Sequence, residues 1–178
     1  MEEIKDCLGH LISSSSHSSL KEKQYRILTS IQPQEAPMAD VEALIGSWRM
    51  KAWTRTSVAT GETTDALGPS PIGFIAYHRC GRMMASVFRR DRFPPKDQAW
   101  TMEEKARLFD DMLAYVASYR IEGNRVIHEV DGSWNPSWQG ALQRPFTLEG
   151  DRLVISGAPG VDPATGENVI YRMEFTKD

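Results

Sequence analysis

From Ser47 to the C-terminus the apolar residues recur with a period of two, in short runs broken by glycine, proline and asparagine. That period marks strands with one face buried. The runs predict strands at about 47–57, 72–79, 82–89, 118–122, 125–131, 139–148, 152–157 and 168–176. Turn residues separate them: Thr60-Gly61-Glu62, Cys80-Gly81, Glu122-Gly123-Asn124, Glu149-Gly150-Asp151 and Pro163-Ala164-Thr165-Gly166 each supply a residue tolerant of positive φ. Eight antiparallel strands in sequence close naturally into an up-and-down barrel, which removes both sheet edges and leaves room inside for one small ligand. The expected fold class is therefore mainly β.

One stretch breaks the period. Thr101-Met102-Glu103-Glu104 fits a capping box, and Met102, Ala106, Phe109, Leu113 and Val116 follow at helical spacing. A helix is expected between the third and fourth strands, covering a mouth or side of the barrel. Its apolar stripe is either a plain core contact or a lid over a ligand.

Residues 1–37 follow neither pattern. Ile4, Cys7, Leu8, Leu11 and Ile12 recur at helical spacing, Ser13 to Ser19 is almost all serine, and Leu20 to Ile31 suits a helix until Pro33 and Pro37 stop it. The expectation is an N-terminal leader over 1–37, disordered or carrying short helices, and a barrel domain over 38–178. A short helix over Met38–Ile45, with Asp40 near its start, opens the domain.

Composition narrows the partners. With 178 residues, 40% hydrophobic and 25% charged, the chain suits one soluble domain large enough for a real core. Net charge is −3 with both signs scattered, so no basic stripe exists to neutralise phosphates and nucleic acid is not an expected partner. Arg89-Arg90-Asp91-Arg92 is either a solvated loop or an anion contact. Cys7 and Cys80 make no disulfide framework, the first residues are acidic rather than signal-like, and no apolar run nears the roughly 18 residues that cross a bilayer. A cytoplasmic monomer or homodimer without membrane contact is the expectation.

Three segments carry more specific information: Gly46-Ser47-Trp48, Leu67-Gly68-Pro69-Ser70-Pro71-Ile72-Gly73-Phe74-Ile75-Ala76-Tyr77, and His128 through Gly140 with its Ser133-Trp134-Asn135-Pro136-Ser137-Trp138 centre. Together with the expected helix they resemble the lipocalin-like domain proteins, calycin-type β-barrels of bacteria and fungi, over roughly residues 40–178. The resemblance implies a closed barrel with a cavity for a small, largely apolar molecule. It does not imply one reaction, since similar domains include carriers and cofactor-free enzymes of specialised metabolism. It also implies that Trp48 plugs one end under an arginine of the last strand, for which Arg172 is the matching residue.

Strand parity maps the interior. His128 shares a face with Val126 and Val130, Arg144 with Leu142, Phe146 and Leu148, and Tyr171 with Val169, Met173 and Phe175. An inward histidine can act as acid or base while arginine and tyrosine hold an oxygen. The same residues also fit a paired core histidine and an arginine bonded to carbonyls. Trp134 and Trp138 either stack on a flat ligand or close the barrel. Phe146, Met173, Tyr77, Met84, Ser86, Tyr115 and Tyr119 are further wall candidates, whose facing a one-residue bulge would reverse.

The expected function is binding of a small hydrophobic or aromatic metabolite. Two readings stand side by side. In one the protein is a cofactor-independent cyclase, isomerase or dehydratase of secondary metabolism, with His128 as acid/base and Arg144 and Tyr171 positioning oxygens. In the other it is a non-catalytic carrier. No metal is expected, because His10, His17, His78 and His128 lack ligand spacing, and no cofactor is expected without a glycine-rich phosphate loop or dinucleotide fingerprint.

Overall fold

The computed structural model describes residues 41–162 and 165–178; the expected leader lies outside the described residues. A one-turn helix, α1 (Val41–Leu44), precedes β1 (Gly46–Ser57), β2 (Thr63–Asp65), β3 (Ile72–Tyr77) and β4 (Arg82–Phe88). After α2 (Met102–Asp110) come β5 (Met112–Glu122), β6 (Arg125–Ser133), β7 (Gly140–Glu149), β8 (Arg152–Ser156), β9 (Gly160–Val161) and β10 (Asn168–Lys177). Each long strand pairs antiparallel with the next, and β1 pairs back with β10, so β1, β3 to β8 and β10 form a closed eight-stranded barrel. The two short strands only extend the edges of β1 and β10.

The helix falls where the capping box placed it. Glu104 N–H donates to Thr101 Oγ1 at 3.1 Å, and Thr101 N–H donates to the Glu104 carboxylate at 2.9 Å. It ends earlier than the helical spacing suggested. Leu113, Tyr115 and Ala117 are buried in alternation, and β5 is in register with β4 from Met112 opposite Phe88 to Ser118 opposite Arg82. Leu113 and Val116 therefore belong to a strand, because a full ladder and a buried face outweigh a helical spacing of two residues.

One end of the barrel is sealed by α1 and Trp48. A helix C-terminus leaves carbonyls without intrahelical partners, and here the Trp48 indole N–H donates to Leu44 O at 2.8 Å while Lys177 Nζ donates to Ala43 O at 3.1 Å. The same ammonium stands 5.0 Å from the centre of the Trp48 ring. Gly46 allows this approach: its φ is +132°, and a Cβ there would lie 3.3 Å from Lys177 Cε. Leu44, Trp48, Tyr77, Met83 and Phe175 are all buried around this plug.

Arg172 does not cover Trp48. It is opposite Thr54 on the outer face and pairs with Glu174, whereas Lys177 is directly opposite Trp48. The cation over the tryptophan thus comes from five residues later, at the end of the strand that reaches the plug.

Trp48→Ala should lower stability by about 3–5 kcal/mol, as for other large aromatic truncations in cores. Lys177→Met should cost about 1 kcal/mol, more than Arg172→Met, because only Lys177 serves both ring and helix end. Urea unfolding of the three variants measures both differences.

Candidate ligand site inside the barrel

Two bulges decide which side chains face inward. In β1 the register with β10 shifts between Met50 and Ala52, so Trp48 and Met50 face inward before it and Trp53 and Arg55 after it. Trp53 lies opposite Met173, and Arg55 opposite Tyr171, both on the inner face of β10. In β6 the register with β5 shifts after Val130, leaving Val126, His128 and Val130 inward.

His128 has no exposed surface. Its Nε2 is 3.0 Å from Tyr77 Oη and its Nδ1 is 2.9 Å from Tyr115 Oη. Burial, reinforced by the Arg144 charge, lowers its pKa to about 3, so the imidazole is neutral near pH 7. A neutral ring carries one N–H. One tyrosine therefore donates to the bare nitrogen, and the other accepts from the ring N–H and keeps its own proton free to donate. Burial raises the Tyr115 hydroxyl to about 12 and pushes Tyr77 well above its usual value. All three groups stay uncharged.

Arg144 is the cation of this interior. Its guanidinium carbon lies 5.2 Å from the Trp138 ring centre. Trp138 packs edge-on against Tyr115 at 5.9 Å and against Trp134 at 4.9 Å, and Trp134 meets Phe109 of α2 at 6.1 Å. This aromatic chain links the helix to the site. Arg144 forms no ion pair among the described residues, and its buried Nε–H has no acceptor in the protein. The indole N–H of Trp53 is likewise buried without an acceptor.

A second inward arginine shows the contrasting case. Arg55 pairs with Asp162, which is 1% exposed, and Tyr171 hydrogen-bonds within the same group. Gly157 N–H donates to Tyr171 O at 2.8 Å, and a Cβ at Gly157 would lie 3.7 Å from Arg144 Nη1.

The structure thus gathers His128, Tyr77, Arg144 and Trp138 inside the barrel, with Trp134 at its rim and Phe146 and Met173 in the core beneath. Tyr119 also faces inward, but it packs edge-on against Tyr77 and its hydroxyl donates to His78 O at 3.0 Å. Ser86 is a correction. In β4 the buried residues are Met83, Ala85 and Val87, which puts Ser86 on the outer face with Met84 and Arg82, as the plain alternation of that strand requires. Trp53, Arg55 and Asp162 did not emerge from sequence reasoning. The one available signal was two tryptophans five residues apart in one strand, a spacing that needs a bulge if both face inward.

The chain matches the family model described as a lipocalin-like domain over residues 45–176. It belongs to that family, and a lipocalin-like barrel suggests binding of a small hydrophobic molecule. No curated protein matches the chain. No helix among the described residues is long and apolar enough to cross a membrane, and no cluster of three metal-ligating side chains occurs among them.

The buried histidine sets a pH dependence. The unfolded chain protonates this ring near pH 6.5 and the native chain only near 3, so stability falls as pH drops through that window. The slope contributed is about 1.4 kcal/mol per pH unit at most. Urea unfolding at pH 7, 6, 5 and 4 should show it in the wild type and show it missing in His128→Gln.

Proposed function

We propose that the barrel interior binds a small, largely apolar, ring-bearing molecule that packs against Trp138, Trp134, Phe146 and Met173 and turns its polar end to Arg144. The observation that carries this reading is Arg144 itself: an inward cation over the Trp138 ring, without an ion pair among the described residues and with an unpaired buried N–H. A buried donor left without an acceptor costs about 1–3 kcal/mol, and a ligand oxygen offsets that cost. The natural ligand should co-purify with the wild-type protein and be released on denaturation for mass spectrometry. Arg144→Met should carry markedly less of it; equal occupancy in the variant would contradict the assignment.

The Tyr77–His128–Tyr115 chain favours a second, catalytic reading. Both ring nitrogens of His128 are occupied by tyrosines, so the histidine reaches a ligand only through them. Tyr115 is the member that touches Trp138. With the ring N–H on Nδ1, Tyr115 accepts from it and offers its own proton to a ligand carbonyl, while Arg144 stabilises the charge that develops on that oxygen. Polarising a carbonyl in this way serves a cofactor-free isomerisation, cyclisation or dehydration of a secondary metabolite. Because His128 and both tyrosines stay neutral, turnover should be flat from about pH 5 to 9 rather than bell-shaped around the usual histidine value. Tyr115→Phe should reduce kcat by about 100-fold while leaving ligand affinity within a few-fold.

A further inference from the structure

We infer that the polar end of the ligand is a carboxylate, its oxygens accepting from the unpaired Nε–H of Arg144 and the unpaired indole N–H of Trp53. The inference rests on the binding role proposed above and narrows its ligand to ring-bearing carboxylic acids.

Three observations point the same way. First, the two inward arginines are treated differently. Arg55 has a buried carboxylate, Asp162, while Arg144 has none among the described residues. The titratable groups on which its charge acts, His128, Tyr77 and Tyr115, are all neutral, so none of them balances it. A neutral carbonyl would satisfy the N–H and leave the charge; a carboxylate satisfies both.

Second, two buried donors lack an acceptor rather than one, the Nε–H of Arg144 on β7 and the indole N–H of Trp53 on β1. Arg144 Nη1 lies beside Gly157, which is bonded to Tyr171, and the Trp53 ring centre is 5.9 Å from that of Tyr171. A guanidinium and an indole N–H can each take one oxygen of a carboxylate, and charge-assisted bonds of this type are roughly twice as strong as neutral ones.

Third, the surroundings suit a ring. Trp138 covers the Arg144 guanidinium and Trp134 stands edge-on against Trp138, so a flat ring attached to the carboxylate would meet aromatic faces.

The test is calorimetric titration of the full chain with two matched pairs of probes, 2-naphthoate with 2-naphthamide and trans-cinnamate with cinnamamide. Each pair differs only in the charge and acceptors of the head group. Acids should bind about 10- to 100-fold more tightly than their amides. Trp53→Phe should weaken the acids about tenfold with little effect on the amides, and Arg144→Gln should abolish the preference. Trp53→Phe keeps a ring of similar packing, so it reads the donor even if Arg144→Gln does not fold. Amides that bind as well as acids would overturn the carboxylate and leave the proposed interior binding role intact. If none of the four probes bound, both would fall.

Discussion

The pairing of β1 with β10 is the constraint on which everything else depends. Those strands are the first and last of the barrel, separated by more than a hundred residues, and their ladder runs from Trp48 opposite Lys177 to Ser57 opposite Val169. Without it the sheet would have two open edges and no enclosed face. The same ladder brings Lys177 onto Trp48 at the sealed end and Tyr171 opposite Arg55 in the interior. Closure and site construction are one event.

The bulge within that ladder has a large effect for one residue. Plain alternation from Trp48 would point Trp53 and Arg55 to solvent; the shift between Met50 and Ala52 turns both inward. The interior then holds two cations. One is balanced by Asp162, and the other, Arg144, lies over the Trp138 ring with its charge acting on a neutral histidine. The low pKa of His128 follows from this arrangement, since burial and the neighbouring guanidinium both oppose a second positive charge. Any chemistry here must run through neutral hydroxyls and a fixed cation rather than through a titrating histidine.

Much of this was legible in the amino-acid sequence. Eight strands, the helix and its capping box, and the inward faces of β6, β7 and β10 follow from periodicity and turn residues, because each is a local property. His128 and Arg144 emerged as odd polar members of apolar faces for the same reason. What was not legible depends on long-range register. The partners of His128 come from β3 and β5, the companion of Arg55 comes from the segment after β9, and Trp53 needs a bulge that no turn residue marks. Ser86 illustrates the converse error, where a polar residue beside apolar neighbours alternates outward.

The most direct measurement follows the side-chain N–H groups themselves. In a proton–nitrogen correlation spectrum of the labelled protein, added 2-naphthoate should move the Trp53 indole and Arg144 Nε–H signals downfield, as expected for new hydrogen bonds to a carboxylate. The indole of Trp100, which is 50% exposed outside the barrel, should stay where it is. Shifts confined to Trp100, with Trp53 and Arg144 unmoved, would contradict an interior site.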